Sequence, residues 1–427
     1  MTERLIENLE ELEISSNRKL ALSVATAGLN AINTEEAIFR SIKLEANTLN
    51  IMGESFDLSK FKNIKVVGFG KSSSSAALAL EKILGSKISE GAVIGINKVD
   101  SNYIETFVGT HPRPSDTNIN AGNKIYEIAK NSSEDDLIIA LVSGGGSALL
   151  CYGENECNQG IKLYDSFLKT GQTITEINTV RKHLSVLKGG GLAKIAYPAT
   201  VVGLIFSDIP GDTFENVASG PTYKDESTID DAKRIITENN LGDFILVETP
   251  KEDKYFEKVH NFVLVSNKIA VEAMAQKVKE LGLNSKIIST ELYDETNEAL
   301  LKIFSAKEDN SVVLAAGEPR IEVIDKGGKG GRNLHMSLLA VRDKLIDDDC
   351  VFISLASDGI DNSDVAGAVV DKHTLEKVEK LGLNTEDYLN RFDSYNFFKQ
   401  TGDSIVTGPT GANVSDIMIL LNKKNDE

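Results

Sequence analysis

"LIIALVSGGGSALL", residues 137–150, is an apolar run of strand length that breaks into serine and three consecutive glycines. The run does not alternate with polar residues, which is the pattern of a strand buried on both faces. A turn needs only one glycine. Three in succession bare the main chain, so that a phosphate, a nucleotide or another stretch of backbone can come close to it.

Five other segments share this grammar of apolar run, polar or glycine-rich break, and helical pattern. They are "IKVVGFGKSSSSAALAL" (64–80), "ATVVGLIFSDIPGD" (199–212), "NFVLVSNKIAVEAM" (261–274), "SVVLAAGEPRIEV" (311–323) and "CVFISLASDGIDN" (350–362). "GAVIGINK" (91–98) and "SKIIST" (285–290) read as further strands. Strands alternating with helices predict an α/β fold whose sheets are mostly parallel and flanked by helices. A chain of 427 residues is too long for one ordinary core, so two domains are expected. The proline and charged run in "LGDFILVETPKEDKYFEKVHN" (241–261) put the boundary there, giving residues 1–245 and 246–427.

Composition narrows the partners. With 64 acidic against 46 basic residues the net charge is −18, which repels a phosphate backbone and excludes nucleic acid as an expected partner. A small anion in a locally positive cleft stays open. The N-terminus lacks the basic-then-apolar order of a signal peptide and no apolar stretch is long enough to span a bilayer, so a cytoplasmic protein without membrane contact is expected. Cys151, Cys157 and Cys350 lack zinc-site spacing, and unpaired thiols in a reducing compartment are expected.

Each strand-end break has a chemical reading and a plainer one. In "GFGKSSSS" (68–75), Gly68 and Gly70 end a strand and Lys71 stands at the next helix start, where free N–H groups favour an anion. Neither a Walker A loop nor the third glycine of the dinucleotide fingerprint is present, and a tight turn with an exposed lysine is the alternative. In "SGGGS" (143–147), the amides of Gly144, Gly145 and Gly146 form a phosphate cradle with Ser143 and Ser147 as added donors. Close helix packing would also select these glycines. "INTVRKHLSVLKGGGLAK" (177–194) reads as a helix with Arg181 and Lys188 on one side, able to hold a carboxylate or phosphate, or simply to stabilise a helix C-terminus. "FSDIPGD" (206–212) offers Asp208 as a base or Mg²⁺ ligand, with Asp212 weaker. Glu318 in "AAGEPR" and Asp358 in "ASDGIDN" are metal or ribose candidates, each with a turn-forming alternative. "DKGGKGGRN" (325–333) reads as a mobile loop carrying Lys326, Lys329 and Arg332, whose Gly330 and Gly331 approach phosphate while the guanidinium neutralises a transferring phosphoryl group. His111 and His183 fall inside motifs, but no Ser–His–Asp order can be assembled.

Taken in order, "GFGKSS", "THPRPSD", "VSGGGSALL", "INTVRKHLSVLKGGGLA", "SDIPGDTFENVASGPT", "AAGEPRI", "GGKGGRN", "SDGIDNSDVAGAVVD" and "GPTGANVSD" resemble the glycerate 2-kinase family, whose C-terminal part is the MOFRL domain. The resemblance runs over about residues 20 to 420. It implies two α/β domains around an active-site cleft, and ATP-dependent phosphorylation of D-glycerate to 2-phosphoglycerate with Mg²⁺. It places the lysine of the family's GxGK turn on Lys71, the arginine of GGRN on Arg332, and the aspartate of SDxxGD on Asp208, with Mg²⁺ reached through Asp208 or Asp358. Two departures stand out. Leu334 and His335 follow GGRN where the family has Gln-Glu, and Ala356-Ser357-Asp358-Gly359 stands in place of GTDG. The alternatives are a hydroxypyruvate reductase with Asp100 as ribose contact, a kinase of another hydroxy acid, and a nucleotide- or sugar-phosphate-sensing module without catalysis. Oligomeric state is left open.

Overall fold

The computed structural model describes residues 5–170, 173–209, 211, 213–322 and 327–424. Two compact units carry the fold, one made of residues 34–264 and the other of residues 1–33 with 265–427. The α/β, two-domain expectation holds, but the units differ from the expected split at 245/246. The boundary lies at the end of the last strand of the first sheet, and the helix Ser16–Ile32 belongs to the second unit.

Unit 34–264 begins with the helix Thr34–Ser41, followed by a small antiparallel meander of β1 (Ile42–Glu45), β2 (Thr48–Ile51) and β3 (Glu54–Asp57). Its strands are too short for a periodicity signal. Met52 and Gly53 between β2 and β3 both have positive φ, 49° and 93°, the conformation that matches the twist of a two-residue hairpin. The main sheet follows, with β4 (Asn63–Phe69), β5 (Ile88–Gly95), β6 (Glu105–Val108), β7 (Asp136–Ser143), β8 (Thr200–Phe206) and β9 (Val259–Val265) in the order β6-β5-β4-β7-β8-β9. The pairings β6–β5, β5–β4, β4–β7 and β7–β8 are all parallel. Every residue of β7 is buried, as its unbroken apolar run requires. The chain leaves β4 in one direction and returns at β7 to build in the other. That reversal is the topological switch point at which open α/β sheets bind ligands.

The helix Ile174–Leu184, opened by a Thr173–Glu176 capping box, stops earlier than expected. Lys188 is therefore not on it. Gly189 and Gly190, at φ 55° and 84°, turn the chain into the next helix, Gly191–Ala196. Cys151 and Cys157 are joined in a disulfide with Cα atoms 5.5 Å apart, contrary to the expectation of unpaired thiols. They are six residues apart and the helix opening at Gly153 folds one back onto the other.

The second unit has a six-stranded sheet of β10 (Asn284–Leu292), β11 (Ser311–Gly317), β12 (Cys350–Ala356), β13 (Gly367–Val370), β14 (Ser404–Ile405) and β15 (Asp416–Asn422), ordered β10-β11-β15-β12-β13-β14. Here the expectation of a mostly parallel sheet fails, because only β10–β11 is parallel and the remaining pairings are antiparallel. The cause is "DIMILLN" (416–422), whose residues are all buried. This strand, absent from the expected elements, runs back between β11 and β12. It sets Asp416 opposite both Gly317 and Ala356, so the end of one strand meets the starts of two loops.

The helix Ser16–Ile32 packs on the helix Asn267–Glu280 and on β12 and β15. A Cβ on Gly28 would lie 2.9 Å from Met274 Cγ, so glycine lets the two helices approach. Arg18 on this helix is fully buried and bonds Asp371 and Asp403. Among the described residues no helix is long and apolar enough to cross a membrane.

Candidate active site

At the switch point the turn after β4 and the turn after β7 are fastened to each other. Lys71 N–H donates to Gly144 O at 2.8 Å, and Ser72 N–H donates to Ser143 Oγ at 3.1 Å. Gly70 has φ 123°, and a Cβ there would lie 2.2 Å from Ser143 Oγ. Ser143 and Gly70 thus serve to join the two loops. Gly68 sits inside β4, where its missing side chain admits Val93 and Leu141.

The three glycines after β7 each make room for a different neighbour. A Cβ on Gly144 would fall 2.1 Å from Asp208 Oδ2, and one on Gly146 2.5 Å from Ala218 Cβ. One on Gly145 (φ 77°) would lie 3.1 Å from Lys71 Cγ and 3.3 Å from His111 Nε2. Bare backbone is therefore surrounded by a lysine, a histidine and an aspartate. Ser147 Oγ bonds Ser219 Oγ at 2.9 Å, and Ser219 bonds Asn178, which also receives Arg181 Nη1 at 3.4 Å. Ala218 and Ser219 hold positive φ, 51° and 60°, a strained pair of the kind that gathers at ligand sites.

Lys71 and Arg181 form the positive side of this site, with His111 close to both. Burial and the nearby charges of Lys71 and Arg181 lower the His111 pKa, so its imidazole is neutral at neutral pH. Burial also lowers the pKa of Arg181, which lines a pocket of about 30 Å³ with Ser147, Tyr164 and Pro112. Lys188 reaches the same pocket, but its ammonium is spent on Leu150 O at 2.7 Å and Glu156 Oε1 at 2.9 Å. It is a buried structural ion pair, which corrects its reading as a substrate cation. His183 is likewise structural, buried against Val247 O. Asp212 lies outside the described residues.

In the other unit, Arg332 begins the helix Arg332–Arg342. Its Nε pairs with Asp416 Oδ2 and its Nη2 lies 3.6 Å from Glu318 Oε1. Asp361 caps the same helix. Its carboxylate accepts from Gly331 N at 3.2 Å, Asn333 N at 3.2 Å and Leu334 N at 2.8 Å. A Cβ on Gly331 would come 2.3 Å from Asp361 Oδ1, and one on Gly330 2.4 Å from Ser394 Oγ. These glycines bring carboxylate and helix start together.

The described part of the GGKGGRN loop is pinned rather than mobile. Gly328 N donates to Arg391 O at 2.5 Å, Tyr395 N to Lys329 O at 2.9 Å, and Asn362 Nδ2 to Gly330 O at 3.1 Å. Lys329 pairs with Asp364 and lies 3.8 Å over the Tyr395 ring, so it does not join Arg332. Lys326 lies outside the described residues. Asp358 accepts from Ile360 N at 3.0 Å, the plainer turn-forming role. It still faces a cavity of about 550 Å³ shared with Glu318, Arg332 and Asp416.

Residues 20–248 match a family described as Domain of unknown function (DUF4147), and residues 311–416 match the MOFRL family. A glycerate 2-kinase of Pyrococcus horikoshii is 33% identical, over 95% of this chain and 97% of that protein. The chain belongs to the glycerate 2-kinase family. A crystal structure of a family member, the glycerate kinase of Thermotoga maritima, superposes with a TM-score of 0.83 at 30% identity, covering 95% of this chain and 99% of that one. A putative hydroxypyruvate reductase of Agrobacterium vitis is 35% identical over 83% of this chain and 86% of its own length.

The departures from the family pattern have structural outcomes. Leu334 is fully buried in the core of its unit, and His335 stacks on Phe392 with ring centroids 5.5 Å apart. Two acidic residues escaped the reading of the sequence. Asp361 stands beside the candidate Asp358, and Asp416 ends "GPTGANVSD" just before an apolar run, where its sequence context is that of a strand.

Burial raises the Asp416 pKa from 3.8 to about 7, against the lowering effect of Arg332. Between those two values the native state keeps a proton that the unfolded chain has lost, so stability falls as pH rises through that window and is level above it. Urea midpoints of the wild type should therefore drop more from about pH 4.5 to about pH 7.5 than those of Asp416→Asn. Equal drops in the two proteins would contradict this assignment.

Proposed function

We propose that the chain catalyses ATP-dependent phosphorylation of D-glycerate at its 2-hydroxyl, giving 2-phosphoglycerate and ADP. One observation carries the reading beyond family membership: Lys71, His111 and Asp208 gather around Gly144 and Gly145 at the switch point of a parallel sheet. Phosphoryl transfer asks for positioning and positive charge more than for covalent chemistry. In this reading the glycerate 2-oxygen attacks the γ-phosphorus, the bond from that phosphorus to the ADP oxygen breaks, and the hydroxyl proton passes to the Asp208 carboxylate. Lys71 and Arg181 hold anionic oxygens in their unit, and Arg332 neutralises phosphoryl charge in its own.

Among the described residues no group of three or more His, Cys, Asp or Glu side chains is placed to hold a metal ion. A nucleotide-borne Mg²⁺ takes only one or two protein carboxylates, which fits Asp208 or Asp358. That ion would supply further charge neutralisation on the phosphates.

The test is an ADP-release assay over a panel of small hydroxy acids, with phosphorus NMR of the product to locate the ester. Failure to release ADP with D-glycerate would sink the reading. Lys71→Ala should lower kcat by about 10²-fold with an unchanged urea midpoint, and near-wild-type turnover would remove Lys71 from the mechanism. A second reading, hydroxypyruvate reduction, draws on the strand order, which is also that of dinucleotide-binding domains. Against it, the third-glycine position is Ser73, whose hydroxyl is committed to Gly70 O and Ile94 O. Oxidation of NADH by hydroxypyruvate in the presence of the protein would favour it.

A further inference from the structure

We propose that the cavity of the 265–427 unit is the nucleotide site, with the purine base lying against a wall made by His335, Phe392, Ile360 and Ile321 and the phosphates directed to Arg332. This rests on the kinase reading and adds to it the location of the nucleotide. The cavity of about 550 Å³ lies within the range of about 300–1,000 Å³ typical of small-molecule sites. A three-carbon acid would leave most of it empty.

Its lining is divided by chemistry. His335 and Phe392 are stacked nearly parallel, 17° between planes, and both line the cavity. Ile360, which lines the same cavity, is 50% exposed, an apolar side chain open to a ligand. Phe392 is held at φ 51°, a costly backbone conformation for an aromatic residue. Burial takes the His335 pKa down to about 4, so its ring is neutral at neutral pH and presents no charge to a base.

The polar half suits the rest of a nucleotide. Glu318 and Asp358 line the cavity as acceptors for the two ribose hydroxyls, and Arg332 is its guanidinium. Asp361 is already committed to the helix start. A three-carbon acid has neither a ring for the apolar wall nor the length to reach from it to Arg332. The cavity is better matched to a ligand with an uncharged aromatic end and a diol.

Titration calorimetry with ATP, ADP and D-glycerate, each alone, tests the assignment in wild type, His335→Ala, Phe392→Ala and Ile360→Asp. Loss of base stacking should weaken ADP and ATP binding by about 10-fold in each variant, and raise the KM for ATP while leaving that for glycerate within about twofold. Ile360 is half exposed, so its substitution keeps the test valid if the aromatic variants do not fold. Unchanged nucleotide affinity in folded variants, or a loss confined to D-glycerate, would overturn the proposal while leaving the kinase reading intact. Nucleotide binding that depends on this wall, with no hydroxy acid phosphorylated, would support the site and remove the kinase reading instead.

Discussion

Arg332→Ala should lower kcat for phosphoryl transfer by about 10³-fold or more, the range in which a charge-neutralising arginine acts. The guanidinium is held by Asp416 on one nitrogen and by Glu318 near another, so it is aimed by fixed partners instead of swinging on a loop. Its side chain stays 34% exposed, leaving an open edge toward the cavity. Loss of stability should not explain the effect. Asp416, whose pKa is already near 7, takes up a proton when the arginine is gone and does not remain as a buried charge. Arg332→Lys should recover little, because a lysine cannot satisfy two carboxylates and a phosphoryl oxygen from one planar group. Turnover of Arg332→Ala within tenfold of wild type at saturating ATP would exclude the arginine from the transition state.

Arg18→Ala should cost about 3–5 kcal/mol of stability, the usual penalty for removing one partner of a buried ion pair. Arg18 Nε and Nη2 bond both oxygens of Asp371 at 2.7 and 2.6 Å, and Nη1 bonds Asp403 at 2.8 Å. Asp403 is fully buried and among the described residues would keep Lys377, at 2.7 Å, as its charged partner. Asp371 would keep its bonds to His373 N and Thr374 N at the start of the next helix. The measurement is urea unfolding followed by circular dichroism. A shift of less than about 1 kcal/mol would show that the two carboxylates find other partners.

The parallel half of the fold was legible because strands buried on both faces advertise themselves as unbroken apolar runs. β4, β7 and β8 were all read this way, and their glycine breaks fell at the switch point. The second sheet was misjudged because direction is not written in an apolar run. "DIMILLN" has the same composition whether it lies parallel or antiparallel to β11. The domain boundary was misplaced for a related reason. Nothing local in the helix Ser16–Ile32 announces that Arg18 pairs with carboxylates more than 350 residues away.

In the site, motifs located the loops but did not sort ligand-facing groups from scaffold. Lys188 and Arg181 looked alike as cations near glycines. Only the early end of their helix sent one into an ion pair with Glu156 and left the other beside His111. Asp361 could not be told from Asp358 by type or context. The difference is that Asp361 meets three backbone amides at a helix start, and that depends on where residues 331–334 fold.

A ribosome delivers this chain in an order that favours one unit over the other. Residues 34–264 are contiguous, and their sheet can be assembled once β9 has emerged. The remaining unit must wait for its central strand, Asp416–Asn422, which follows its other described elements in the chain. Until then β11 and β12 have no neighbour to share, and the helix carrying Arg18 has no finished surface to dock on. Arrival of that strand, and not synthesis of the middle of the chain, is therefore the step on which the Arg332 cavity, lined by Asp416, depends.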